Sequence, residues 1–96
     1  DIALMRVIPN MVVLSPADAI ETRLAVKAAA EYKGPVYIRL ARLASEIIFN
    51  ENYKFEIGKG VTLREGNDVT VIATGMLVAD AHEPIDRSCL AQTVWH

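Results

Sequence analysis

The apolar positions follow two different rhythms along the first half of the chain. Met11-Val12-Val13-Leu14 is a continuous apolar run, rich in β-branched residues, between Pro9-Asn10 and Ser15-Pro16. A short apolar run bounded by turn residues predicts a strand buried on both faces, as in a parallel sheet. From Ile20 the spacing becomes helical: Ile20, Leu24, Ala28 and Tyr32, with Ala25 and Ala29 beside them, make one apolar stripe. Glu21, Arg23, Lys27 and Glu31 fall on the wetter side, and Lys27 with Glu31 is an i,i+4 pair. Ser15 is the expected cap, Pro16 takes the first helical position, and Asp18 faces the positive end of the helix dipole. Gly34 is expected to close the helix near Tyr32 in a left-handed conformation, with Pro35 blocking continuation. Val36-Tyr37-Ile38-Arg39-Leu40 is the second strand. Strand, helix and strand joined by tight connections predict a parallel βαβ unit with a right-handed crossover. Two strands and one helix cannot cover both faces of a buried sheet, so the unit needs a neighbour.

From Ala44 to Ile57 the pattern loosens. Asn50-Glu51-Asn52 is a polar break, and Tyr53, Phe55 and Ile57 alternate with Lys54 and Glu56. This stretch reads as a linker containing a short extended segment, with a domain boundary inside it. Beyond it, Gly60-Val61-Thr62-Leu63 and Asp68-Val69-Thr70-Val71-Ile72-Ala73 flank Arg64-Glu65-Gly66-Asn67. The pattern predicts a hairpin with Gly66 at a positive-φ position. A short helix follows from Met76 to His82, ended by Glu83-Pro84. Residues 85–96 carry neither helical period nor strand alternation. There is no internal repeat or low-complexity tract.

Composition narrows the possibilities. Ninety-six residues allow one small domain or pieces of two. At 52% apolar the chain is not a disordered segment, and it is richer in apolar residues than a self-contained small domain needs. Ten basic against twelve acidic residues, net charge −2, provide no field for nucleic acid or an anionic membrane. The one cysteine, Cys89, excludes an internal disulfide and fits a reducing compartment. No apolar run reaches the length of a membrane span, and Asp1 to Arg6 lacks the pattern of a signal peptide. The expected location is the cytoplasm.

Four groups of residues are candidates for chemistry. Gly58-Lys59-Gly60 precedes a strand, not a helix, so it reads as a bend at a junction, not a phosphate loop. His82, Cys89 and His96 lack zinc-site spacing, and the metal reading is rejected. Asp18 and Glu21, three apart at a helix start, read as capping and dipole compensation, with Glu21 able to accept from a backbone N–H or pair with Arg23 or Arg6. Catalytic carboxylate pairs come from separate elements flanking a substrate. Arg39 and Arg42 lie at the C-terminal end of the second strand, where ligands sit in open α/β sheets. Three apart on a strand, they face opposite sides and do not serve one ligand together. Arg42, just past the strand, is placed to hold a phosphate or carboxylate bidentately, or else is a solvated or ion-paired surface arginine.

The runs Ile8-Pro9-Asn10-Met11-Val12-Val13-Leu14-Ser15-Pro16-Ala17-Asp18-Ala19-Ile20-Glu21-Thr22 and Gly34-Pro35-Val36-Tyr37-Ile38-Arg39-Leu40-Ala41-Arg42 closely resemble transketolase. The nearest likeness is to the C-terminal half or split C-terminal subunit. Ile57-Gly58-Lys59-Gly60-Val61 and Arg64 through Gly75 resemble the start of that family's C-terminal domain. The likeness extends from Asp1 to about Ala81. Deoxyxylulose-phosphate synthase has a Tyr-Pro-Arg-Gly run where this chain has Leu40-Ala41-Arg42-Leu43, which favours transketolase.

The resemblance implies an α/β fold: a parallel βαβ portion of a thiamine-diphosphate-enzyme pyrimidine domain, followed by a β-hairpin and a short helix of the C-terminal domain. Residues 1–43 would end the pyrimidine-binding domain, 44–59 would be the linker, 60–82 the start of the C-terminal domain, and 83–96 an unassigned tail. Past Ala81 the text departs from the family, as a frameshift or gene truncation would produce, with the family continuation then in another reading frame. The family moves a two-carbon ketol unit between sugar phosphates of the pentose phosphate pathway, using thiamine diphosphate and a divalent metal. Arg42 matches the arginine that binds the substrate phosphate. Asp18 and Glu21 match a Pro-Ala-Asp-x-x-Glu helix start read as structural. The cofactor-activating glutamate, the pyrimidine-stacking aromatics, the substrate histidines and the metal–diphosphate motif are not in these 96 residues. The expectation is a segment inactive alone, with no catalytic residue and no cofactor or metal bound by this chain itself. Alternatives are a subunit completing a site with separately encoded partners, a non-catalytic oligomerising module, and a piece of deoxyxylulose-phosphate synthase. Apolar faces and unpaired edges imply homo-oligomers or partner subunits.

Overall fold

The computed structural model describes residues 1–82 and the backbone of 88–92. The elements run α1 (Ile2–Val7), β1 (Val12–Leu14), α2 (Ala19–Glu31), β2 (Val36–Ile38), β3 (Val61–Arg64), β4 (Val69–Ala73), α3 (Leu77–His82) and β5 (Ser88–Gln92). β1 and β2 pair in parallel, Val13 opposite Tyr37, with α2 crossing between them, as the apolar rhythm predicts. Every residue of β1 is buried, in keeping with a strand covered on both faces. α1 is not anticipated by the sequence reading; it is short, and none of its residues is buried.

The helix start differs from expectation. Asp18, not Ser15, is the N-cap; its backbone is extended (φ −139°, ψ −179°) and its side chain accepts from the Glu21 N–H. Pro16 and Ala17 therefore lie outside the helix, both buried. Ser15 instead presents its carbonyl to the second half of the chain, accepting from Gly75 N–H at 3.0 Å and Thr74 Oγ1 at 3.3 Å. Gly75 has φ +61°, and a Cβ there would stand 2.7 Å from Ser15 Oγ, so only glycine fits this approach. At the other end Tyr32 caps α2 in an extended conformation, and Gly34 does not adopt positive φ. Gly34 serves closeness: a Cβ there would lie 2.8 Å from the Tyr32 ring.

The expected hairpin is not formed. β3 and β4 both exist, but β5 lies between them, giving the order β3-β5-β4. β4 and β5 run parallel, with α3 in the connection, while β3 and β5 are antiparallel with an irregular register between Thr62 and Arg64. The turn residues 64–67 thus separate strands that share a partner, and Gly66 has no positive φ. Within the expected unassigned tail, Ser88–Gln92 is a strand; 83–87 and 93–96 lie outside the described residues.

Residues 44–59 form no helix or strand, yet they are the mortar of the fold. Phe49 joins Ala17 and Val78 in one core cluster, backed by Ile48, Tyr53, Val61 and Leu63. Phe55 and Ile57 pack on the other, around Val12, Leu14 and Ala25. The alternation at Tyr53, Phe55 and Ile57 therefore marks residues packed on the core, without ladder pairing.

Candidate functional site

Arg39 continues the parallel register, its N–H donating to Leu14 O at 2.8 Å. Its side chain turns away to the Asp1 carboxylate, with Nε 3.1 Å from Oδ2, and Tyr37 OH donates to the same oxygen at 2.8 Å. Arg42 is separate: it lies four residues past the end of β2, where strand alternation no longer applies. It is exposed on the segment that leaves β2, and among the described residues it has no hydrogen bond or ion pair. An open groove of about 550 Å³ runs between the start of α2 and residues 40–47, lined by Asp18, Thr22, Arg23, Leu40, Leu43 and Ile47 among others; the neighbours of Arg42, Ala41 and Leu43, line it, while the arginine itself does not. A smaller cleft of about 180 Å³ lies between residues 43–46 and α3, lined there by Ala79 and Asp80.

Asp18, which lines the groove, and Glu21, one turn along, form a pair of buried carboxylates. Asp18 is 2% exposed and Glu21 is fully buried, so the expectation that Glu21 lies on the wetter side of α2 is overturned. Desolvated carboxylates persist only where donors satisfy them. Asp18 Oδ1 accepts from Glu21 N–H at 2.7 Å, and Oδ2 accepts from Ile48 and Phe49 N–H, both at 2.8 Å. Glu21 Oε2 accepts from Ala17 N–H at 2.7 Å and Oε1 from Tyr53 OH at 3.2 Å. The capping reading of the two acids stands, and Glu21 does accept a backbone N–H. What sequence reasoning missed is that both acids also hold the 48–53 segment. The available signal was an acidic pair at a helix start together with one tyrosine hydroxyl in an otherwise apolar alternation.

Burial, reinforced by the Glu21 carboxylate and then Asp18, holds the Tyr53 hydroxyl well above its ordinary value of 10. The folded state thus prefers neutral Tyr53, while the unfolded chain ionises it near pH 10. This contribution to stability is complete below pH 10 and falls as pH rises above it. Tyr53→Phe should flatten that alkaline decline. Denaturant midpoints compared at about pH 9 and about pH 11 check it, and parallel profiles for the two proteins would contradict it.

Gly58 turns with φ +86° and Lys59 pairs with Glu56 at 3.0 Å, in keeping with a bend at a junction. Among the described residues no three His, Cys, Asp or Glu side chains are grouped to hold a metal. The Cys89 side chain and His96 lie outside the described residues. No described helix is long and apolar enough to cross a membrane.

Comparison with known proteins gives the family. Residues 1–46 match the transketolase pyrimidine-binding domain. A protein of Methanocaldococcus jannaschii named as a transketolase C-terminal section is 53% identical over 83 residues, covering 84% of this chain and 26% of that protein. The 6-deoxy-6-sulfo-D-fructose transketolase subunit SqwH of a Clostridium species is 47% identical over 81 residues, covering 84% and 25%. A solved split-gene transketolase, described as an inactive β4 tetramer, superposes with a TM-score of 0.92 at 44% identity, over 97% of this chain and 33% of its own. The chain thus spans about a quarter of the length of the curated relatives and a third of the solved one. Over that span the βαβ unit, the buried acidic helix start and the three-stranded sheet belong together, and the chain is a member of the transketolase family.

Proposed function

We propose that this chain supplies the substrate-phosphate side of a transketolase-type site, with Arg42 as the phosphate-binding residue, and that it does not transfer ketol units unaided. One observation carries the reading: Arg42 stands exposed just beyond the carboxyl end of a parallel strand, between two residues that line an open groove, with its guanidinium uncommitted among the described residues. A planar guanidinium in that state suits a dianionic phosphate, which it holds through two parallel hydrogen bonds. The proposed division assigns 1–43 to the pyrimidine-binding domain, 44–59 to a linker that packs into both core clusters, and 60–82 to the start of the C-terminal domain. It is supported by the family match to 1–46 and by the change from a two-stranded to a three-stranded sheet.

Thiamine diphosphate with a divalent metal belongs to the family's chemistry, where the cofactor carries the two-carbon unit. The described residues do not fit that group. The two buried carboxylates already accept backbone and phenol donors, and no other acidic cluster is present among the described residues. No step is therefore assigned to the cofactor here. This chain's part is to bind and orient a sugar phosphate.

Arg42→Ala is expected to weaken sugar-phosphate binding about 10- to 100-fold, the worth of a charge-assisted hydrogen-bonded pair. In an assembled transketolase carrying the same change, KM for a phosphorylated sugar should rise while that for a non-phosphorylated acceptor stays. An unchanged KM for the phosphorylated sugar would defeat the assignment.

A second reading, an oligomerising module, is favoured by exposed apolar side chains such as Leu4, Val7, Leu43 and Leu77 and by the tetrameric state of the split-gene relative. Light scattering tests it; a clean monomer at high concentration would remove it.

A further inference from the structure

We propose that Asp18 is a positioning residue for Arg42: its carboxylate clasps the far end of the segment that carries the arginine. This rests on the reading of Arg42 as the phosphate-binding group. The segment leaves β2 at Arg39, whose N–H is held by Leu14 O at 2.8 Å. It is next held at Ile48 and Phe49, where two consecutive N–H groups converge on Asp18 Oδ2 at 2.8 Å each. Between these anchors, residues 40–47 form no helix or strand and make no hydrogen bond or ion pair among the described residues. The place of Arg42 is therefore set by its two ends. The near end belongs to the sheet; the far end belongs to Asp18.

The clasp is built on a rigid support. Asp18 is buried, its other oxygen caps α2 through Glu21 N–H, and its own carbonyl accepts from Thr22 N–H at 2.9 Å and Thr22 Oγ1 at 2.7 Å. Three N–H groups arrive on two carboxylate oxygens, a count only a carboxylate meets. Asparagine has a single acceptor oxygen, and whichever way it turns, at least one N–H faces its NH2 group. Serine caps a helix well but is too short to serve both the cap and residues 48–49. Fixing both ends of a short segment restricts what its middle visits. Releasing the far end loosens residues 40–47 as a unit, Arg42 together with the groove wall formed by Leu40, Leu43 and Ile47.

The test uses the full chain, 15N-labelled, titrated with inorganic phosphate and with ribose 5-phosphate, ribose serving as control. In the wild type the Arg42 signals should shift saturably with both phosphates and not with ribose. In Asp18→Ser and Asp18→Asn the dissociation constant should rise about fivefold or more, with faster backbone motion confined to 40–49. Tyr53→Phe, which loses a bond in the same region but keeps the clasp, should bind as wild type does. Saturable wild-type binding with unchanged affinity in the Asp18 variants would overturn the positioning role and leave Arg42's reading intact. No phosphate response in the wild type would overturn both. Should either variant fail to fold, hydrogen exchange in the wild type decides: the Ile48 and Phe49 amides should be protected to the degree of Glu21, and rapid exchange at both would overturn the clasp.

Discussion

Replacing Asp18 by alanine should cost this chain about 3–5 kcal/mol of folding stability. The helix cap contributes about 1 kcal/mol. The Ile48 and Phe49 N–H groups, left without an acceptor, cost about 1–3 kcal/mol each, with partial relief as water reaches the loosened segment. In a domain of this size each kcal/mol lowers the midpoint by roughly 4–8 °C, so the fall should be about 12 °C or more. Domains have about 5–15 kcal/mol to lose, and the alanine variant is therefore expected to be marginal. Thermal and urea unfolding of the two proteins read this out. A loss below about 1 kcal/mol would show that the carboxylate is a solvated cap of ordinary worth.

Phe49→Ala should be nearly as damaging, at about 3–5 kcal/mol. Phe49 is 7% exposed, packs with Ala17 and Val78, and stacks on Tyr53 with ring centroids 4.0 Å apart and planes 18° from parallel. It comes from a segment without helix or strand, yet it fills the space between the start of α2 and the three-stranded sheet. The variant tests whether 44–59 is a loose connection or part of the core. A stability change under about 1 kcal/mol would restore the loose linker, because large apolar truncations at surface sites cost little.

These two residues also mark where the sequence was legible. β1, α2 and β2 were read from short-range signals: an unbroken β-branched run, a four-residue repeat, and Gly34-Pro35 as a stop. The position of Arg42 beyond β2 followed from the same register. The identity of the cap was not legible, because Ser15, Pro16 and Asp18 all suit a helix start locally. The choice is made by Ile48 and Phe49, thirty and thirty-one residues away, whose N–H groups need the longer, charged acceptor. Glu21 read as a solvent-side residue for the same reason: its partner Tyr53 is remote in sequence.

The second sheet failed differently. Two apolar runs around a four-residue polar turn are the local signature of a hairpin, and nothing within them announces that a third strand will separate them. That strand, Ser88–Gln92, is held by backbone pairing to β3 and β4, which are 15 or more residues away in sequence, and nothing local announces that pairing.

The central claim is that this chain presents a sugar-phosphate anchor to chemistry housed elsewhere. The most direct measurement is a ketol-transfer assay on the purified chain supplied with thiamine diphosphate and magnesium, alone and then mixed with a transketolase section carrying the cofactor-binding domain. The account predicts no turnover and no tight cofactor binding by the chain alone. Turnover of ketose donors without a partner, or tight retention of thiamine diphosphate by the isolated chain, would contradict it.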